Sequence, residues 1–408
     1  MKLKISPACL GGDVTPPPSK SQAHRAVIAA ALAKGSSHIA PLSPSMDILA
    51  TLGAVEALGA SYEKKTGVVT GCDAVRIKAE TLPQIDCAES GSTLRFLIPV
   101  ALAVAGGGIF SGRGRLMQRP QEPYFHLFQE KGITYQQDVS TLTVEGTLPP
   151  GRYSLPGDVS SQFVTGLLFA LPLLAGDSEI EITTPLQSKE YVTMTLDVLS
   201  HFGIQVHQKQ MQHFWIPGGQ RYCAADLQIE ADMSQAAFFA AARVLGQPVT
   251  ILGLNQDSKQ GDKVIFSILK QLQAKGTQDV DVSQCPDLVP AIALVAALRD
   301  GELTILSNAA RLRAKESDRL AAVTRQLNTL GANITEGPDF LRIQGVAALH
   351  GGETDSENDH RIAMMLAIGA AVAKGDVILT GAESVQKSYP SFWSEYVRLG
   401  GKITALDP

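Results

Sequence analysis

The sequence predicts an α/β protein of two domains, each made of three copies of one unit with helices inside and sheet outside. Three observations carry that expectation. The chain, at 408 residues, exceeds what one hydrophobic core usually supports. A helix-ending glycine followed by a short alternating strand recurs six times. The segment that opens each recurrence is apolar on every side.

The glycines are Gly59, Gly132, Gly203, Gly276, Gly331 and Gly400, in VEALGASYE, FQEKGITYQ, LSHFGIQVH, LQAKGTQDV, LNTLGANIT and VRLGGKITA, with gaps of 73, 71, 73, 55 and 69 residues. Glycine suits the left-handed position that ends a helix. An earlier stop precedes each by 24 to 30 residues: Gly35, the Gly106–Gly108 run, Gly176, Gly246, Gly301 and Gly375. Each of these follows a run with almost no polar face: VIAAALA, FLIPVALAVA, TGLLFALPLLA, AAFFAAARVL, AIALVAAL and IAMMLAIGAAVA. A helix apolar all round is buried. One unit therefore reads as buried helix, strand, amphipathic helix, strand and a linking strand.

The expected division puts 15–225 in one domain and 1–14 with 226–408 in the other. Hinges fall near 15–19, at Thr15-Pro16-Pro17-Pro18, and near 217–226, after Pro217-Gly218-Gly219. Two crossings would let the domains close over a ligand and exclude water.

Composition narrows the function classes. A net charge of −5 argues against a broad nucleic-acid or anionic-membrane surface, so any anion site needs local concentration of cations. The five cysteines (Cys9, Cys72, Cys87, Cys223, Cys285) are scattered and form no CxxC, which reads as reduced thiols and no zinc site. MKLKIS begins the chain as a strand and no apolar run is long enough to span a bilayer, so a cytoplasmic protein is expected.

Buried helices still present unpaired N–H groups at their starts. Those starts read Ser21-Gln22-Ala23-His24-Arg25, Ser90-Gly91-Ser92-Thr93-Leu94-Arg95, Ser160-Ser161-Gln162, Ser234-Gln235, Pro286-Asp287 and Asn358-Asp359-His360-Arg361. Ser, Asp and Asn are ordinary caps. Capping does not explain Lys20, Arg25, Arg95 and Arg361, because a cation at a helix start opposes the dipole unless an anion joins it. The pattern predicts small, multiply anionic ligands. Arg311-Leu312-Arg313-Ala314-Lys315-Glu316-Ser317-Asp318-Arg319 is the densest charge cluster. Read as helix, it puts Lys315 and Arg319 one turn apart on one face, with Glu316 turned about 100° away. It follows the strand GELTIL at the place in its repeat that Arg119 and Ser188 hold in theirs.

PSKSQAHR (18–25), SGSTLR (90–95), QRP (118–120), SSQF (160–163), SKEY (188–191), PD (286–287), KESDR (315–319), NDHR (358–361) and QKSYPSFW (386–393) stand in the order of one family. Through them the chain resembles the EPSP synthases (3-phosphoshikimate 1-carboxyvinyltransferases) over essentially its whole length. The resemblance implies the two-domain inside-out α/β barrel of enolpyruvyl transferases, six βαβαββ-like repeats, three per domain. It implies transfer of the enolpyruvyl group of phosphoenolpyruvate to the 5-hydroxyl of 3-phosphoshikimate with release of phosphate. Both substrates are multiply anionic, as the helix starts require.

The implied 3-phosphoshikimate contacts are Lys20, Ser21, Arg25, Ser160, Ser161, Gln162, Ser188, Asp287 and Lys315. Those implied for phosphoenolpyruvate are Lys20, Gly91, Arg119, Gln162, Arg319, His360, Arg361 and Lys387. Asp287 is the implied base, and Glu316 and Lys20 the groups that deliver and take back a proton. No metal or cofactor, no nucleic acid and no membrane is implied, and a monomer is expected. Two positions depart from the family: Glu89 stands where an Asn is common, and Arg311 where some members carry a substrate-touching Asn. The related UDP-N-acetylglucosamine enolpyruvyl transferases share the fold, but often carry a reactive Cys near QRP; here none lies between Cys87 and Cys223. A non-catalytic repeat scaffold would instead spread its charges along outer helices.

Overall fold

The computed structural model describes residues 1–74 and 81–406. It comprises two units, Pro18–Ile229 and the pair Met1–Pro17 with Glu230–Pro408, each with its own hydrophobic core.

In the first unit the three apolar runs form helices α1 (Lys20–Leu32), α3 (Gly91–Ala105) and α5 (Ser161–Ala170), and each is followed by an outer helix. Those are α2 (Met46–Ala57), α4 (Glu122–Lys131) and α6 (Lys189–His201). In the second unit α7 (Met233–Val244), α9 (Val289–Ala297) and α11 (His360–Val372) are the buried helices. They alternate with α8 (Ile265–Leu272), α10 (Arg319–Thr329) and α12 (Phe392–Arg398). Every residue of α1 from Ala23 to Leu32 and all of α9 is buried: α9 has no polar residue to offer water, and in α1 the two polar members of the stretch, His24 and Arg25, hydrogen-bond to Thr51 and Thr195 on other helices. Small residues bring the inner helices close. A Cβ at Gly166 in α5 would collide with the Arg95 carbonyl of α3 and with the Tyr124 hydroxyl that donates to it.

Five repeats share one sheet order: a parallel pair, then two antiparallel strands. Gln84–Asp86 pairs parallel with Gly107–Ser111, which runs antiparallel to Thr141–Glu145, which in turn pairs with Thr134–Gln137. Two sheets borrow a strand from far along the chain. Leu227–Gln228 supplies the parallel edge beside Ser36–Ala40, and Lys2–Ser6 sits between Val377–Thr380 and Lys402–Leu406. The fourth repeat is abbreviated. Among the described residues its Val249–Ile251 pairs only with Gly12–Val14, and Gln278–Asp281, after Gly276, goes straight to the next sheet as its parallel edge. That missing hairpin accounts for the short 55-residue gap between Gly276 and Gly331.

The parallel pair positions the candidate site. Both of its strands run the same way, so the loops leaving them lie side by side. The first loop enters a buried helix and the second enters an outer helix.

Candidate active site

In the first unit, Lys20 opens α1 behind the N-cap Ser19, whose hydroxyl accepts from the Gln22 amide. Its Nζ donates to Asp47 Oδ2 at 2.6 Å, with both side chains largely buried. One turn further, Arg25 is buried and reaches across to α6. Its Nε donates to the Thr195 hydroxyl at 2.8 Å, Nη2 to the Tyr191 carbonyl at 3.0 Å, and Nη1 back to the Ser21 carbonyl at 2.7 Å. The guanidinium also lies 5.0 Å from the centre of the Phe96 ring. Burial brings Arg25 down to about 10, so it stays protonated at neutral pH. His24 sits between these cations with its Nδ1 at 2.6 Å from the Thr51 hydroxyl. Burial first, then Lys20 and Arg25, hold its imidazole well below the usual range, so it is neutral.

Gly91 opens α3 and Arg119 follows the neighbouring parallel strand. A Cβ at Gly91 would lie 2.7 Å from Arg119 Nη1, so the guanidinium rests against bare backbone. Arg95 ties this corner together: Nη1 donates to Gln162 Oε1 and Nη2 to the Pro120 carbonyl, both at 2.8 Å, and its guanidinium lies over the Phe163 ring. Gln162 in turn donates to the Ser92 hydroxyl at 3.0 Å. Ser160 caps α5 through the Gln162 amide, and Ser161 is the first residue of that helix. Ser188, at φ 55, precedes α6, and the Gln187 amide donates to the Gly157 carbonyl at 3.0 Å, which brings the Ser160 and Ser188 loops alongside each other.

The second unit holds a knot of ionised groups around Arg319, whose side chain is fully buried. Its Nε donates to Asp359 Oδ2 at 2.9 Å, Nη1 to Asp287 Oδ1 at 2.9 Å and Nη2 to Glu316 Oε2 at 2.6 Å. Asp287 also receives Lys315 Nζ at 3.4 Å and Arg361 Nη2 at 3.1 Å. Burial alone would raise the Asp287 carboxyl. Arg361, Lys315 and Arg319 outweigh it and hold the group well below the usual carboxylate range. Burial lowers the Lys315 ammonium, against the pull of Asp287, while Asp359, Glu316 and Asp287 raise Arg319 despite its burial. Asp359 caps α11 through the Arg361 amide at 2.9 Å and places His360 in the first buried turn. Lys387, buried at the end of its own 3₁₀ turn, donates to the Asn358 carbonyl at 2.6 Å.

Two expectations are corrected. Lys315 and Arg319 do not share a helix face: 310–314 is a 3₁₀ turn, Lys315 is extended, and α10 begins at Arg319. Asp318 causes this by capping the helix, its Oδ1 accepting from the Ala321 amide at 3.1 Å. The loop before the cap is what brings Lys315 and Glu316 onto the same centre as Arg319. The second correction concerns the helix-start cations, several of which already have anionic partners within the protein. Asp47 was not singled out from sequence and Asp359 was read only as part of a helix start, yet they meet Lys20 and Arg319. Ser234, read as a cap, instead donates to the capping Asp232 at 2.6 Å and accepts from Arg361 at 3.1 Å.

A sequence signal for the missed partners exists in the spacing. In every repeat the start of the buried helix lies beside the start of the outer one, 27 to 29 residues later. Contacts of this kind join Lys20 to Asp47, Met233 to Gln260 and Asn358 to Lys387, with separations of 27, 27 and 29. Gly91 and Arg119, Ser160 and Ser188, and Asp287 and Lys315 are each 28 apart.

The sequence model of the family described as EPSP synthase (3-phosphoshikimate 1-carboxyvinyltransferase) matches residues 6–396. A 3-phosphoshikimate 1-carboxyvinyltransferase of Clostridium acetobutylicum is 45% identical, over 98% of both chains. One of Clostridioides difficile is 44% identical, again over 98% of both. Among solved structures, an EPSP synthase from Acinetobacter baumannii superposes with a TM-score of 0.81 at 25% identity over 100% of both chains. The enolpyruvyl transferase NikO from Streptomyces tendae shares the fold, with a TM-score of 0.80 at 18% identity over 100% of this chain and 99% of that one.

Proposed function

The chain belongs to the EPSP synthase (3-phosphoshikimate 1-carboxyvinyltransferase) family, and from that premise we propose which of its residues bind and which move protons. The reaction transfers the enolpyruvyl group of phosphoenolpyruvate to the 5-hydroxyl of 3-phosphoshikimate and releases phosphate, in the shikimate pathway. The hydroxyl oxygen adds to C2 of phosphoenolpyruvate while C3 gains a proton, which gives a tetrahedral ketal. Loss of phosphate and of a C3 proton then restores the double bond.

In this reading Ser21 and Arg25 hold the shikimate carboxylate. Ser160, Ser161 and Ser188 hold its 3-phosphate, and Gln162 and Lys315 face its ring. Phosphoenolpyruvate is held by the Gly91 backbone, Arg119, Gln162, Arg319, Arg361 and Lys387, with His360 beside them, and Lys20 touches both substrates. Bidentate guanidinium contacts suit carboxylate and phosphate, and lysine adds point charge.

Asp287 takes the hydroxyl proton. The observation that carries this role is its seat among Arg319, Arg361 and Lys315. Three cations make a carboxylate a weak base. When the carboxylate of phosphoenolpyruvate takes over Arg319 and Arg361, it withdraws that stabilisation, and Asp287 becomes basic as its substrate arrives. Lys20 and Glu316 give the proton to C3 and take it back.

A monomer in the cytoplasm completes the proposal; among the described residues no helix is long and apolar enough to cross a membrane. Phosphate release measured with phosphoenolpyruvate and 3-phosphoshikimate, each alone and together, tests the function, and turnover requires both. Turnover with UDP-N-acetylglucosamine and none with 3-phosphoshikimate would overturn it.

A further inference from the structure

We propose that Asp47 is the positioning residue for Lys20, acting on the reaction only through the ion pair between them; this rests on the reading of Lys20 above as a contact to both substrates. The first observation is the place of Asp47 in its repeat. It stands at the start of an outer helix, 27 residues beyond Lys20. In other repeats the matching position holds Arg119, Ser188, Lys315 and Lys387, all residues of the proposed site. The first repeat fills that position with an acid, and the acid meets a cation of the same site.

The second observation is a two-rung ladder between α1 and α2. Lys20 and His24 lie one turn apart on α1, and Asp47 and Thr51 one turn apart on α2. Lys20 Nζ meets Asp47 Oδ2 at 2.6 Å, and His24 Nδ1 meets the Thr51 hydroxyl at 2.6 Å. Thr51 continues to the Thr93 hydroxyl at 2.7 Å and Thr93 to the Ser90 hydroxyl at 2.7 Å, so the ladder is anchored on the start of α3. The lower rung fixes the register of the two helices, and that register fixes the Asp47 carboxylate.

The third observation is that the pair is poorly built for stability. Asp47 is 7% exposed, and its Oδ1 is buried without a hydrogen-bond partner among the described residues. A buried ion pair with an unsatisfied oxygen is a weak stabiliser. Such a pair is explained by what it does to the lysine. A four-carbon stem has many rotamers, and one carboxylate on its ammonium selects one of them before substrate binds.

The test is a double-mutant cycle on the full chain, with kcat/KM for both substrates read from phosphate release and melting followed for each variant. Asp47→Asn lowers kcat/KM by about tenfold or more when Lys20 is present and by less than about twofold in the Lys20→Met background, read in single turnover. Asp47→Glu, which keeps the charge, recovers part of the loss only when Lys20 is present, and it serves in place of Asp47→Asn should that variant not fold. Equal losses in both backgrounds, or no loss in either, overturn the proposal while wild-type turnover leaves the function standing. Absence of wild-type turnover overturns both.

Discussion

Two buried arginines of the proposed site are held differently: Arg25, in the unit Pro18–Ile229, by neutral oxygens, and Arg319, in the unit carrying Glu230–Pro408, by carboxylates. Arg25 donates to a threonine hydroxyl and two carbonyls, and Arg95 to a glutamine and a carbonyl. Arg319 donates to Asp287, Glu316 and Asp359. An arginine on neutral oxygens keeps its full charge for an incoming anion. An arginine shared among carboxylates hands charge over when an anion displaces one of them, and that exchange alters the basicity of the carboxylate released. The first arrangement suits holding a substrate and the second suits moving a proton. In the first unit Lys20 is paired with a carboxylate, that of Asp47, and Lys20 is also the residue of that unit proposed for proton transfer.

The largest expected effect falls on the carboxylate side. Asp287→Ala reduces kcat by about 10²–10⁴-fold, the range for removing a general base, with phosphate release as the measurement. If Asp287→Ala lost only affinity, the contrast between holding and proton transfer would collapse. Arg319→Met comes next and registers as stability. It takes one guanidinium from three carboxylates and costs about 3–5 kcal/mol, as removing one partner of a buried ionic cluster does, read from urea unfolding. Arg25→Ala is smaller and of a different kind. Losing charge-assisted bonds worth about 1.5–3 kcal/mol raises KM for 3-phosphoshikimate by about 10–100-fold, with kcat changed far less. An equal fall in kcat would break the comparison from the other side.

The smallest effect concerns pH. The folded pKa of His24 lies below its ordinary 6.5, so the unfolded chain takes up a proton first as pH falls. Stability of the first unit therefore drops below pH 6.5 by up to about 1.4 kcal/mol per pH unit until the folded imidazole titrates. Asp287 acts in another window. Its folded pKa lies below its ordinary 3.8, so its contribution is present above that value and is lost only as pH falls through the folded one. Hydrogen exchange at pH 7 and pH 5.5, corrected for intrinsic rates, shows protection falling in the first unit alone, and His24→Gln removes the difference. Equal loss in both units would show that His24 is not the cause.

Much of this was legible in the chain. The six apolar runs became six buried helices, because a segment without a polar face has no solvent-facing solution. The glycine stops marked the helix ends, and the motifs at the helix starts marked the family. The geometry of the charged loop was not legible. RLRAKESDR reads as a helix by its composition, and only the cap supplied by Asp318 shows where the helix starts. Asp47 was invisible for another reason. It sits in SPSMDI, where one acid in the first turn of a helix is unremarkable, and its partner lies 27 residues away.

Sequence by itself determined which helices are buried, how many times the unit recurs and which residues carry charge into the helix starts, because these depend on composition and period along the chain. Tertiary structure alone decided which charge faces which. That Asp287 faces Lys315 and Arg319 follows from parallel strand pairing, which sets loops about 28 residues apart side by side, and that Asp359 joins them follows from the packing of α11 against α10. Charge pairing acts over a few ångströms of space, and a sequence records only distance along the chain.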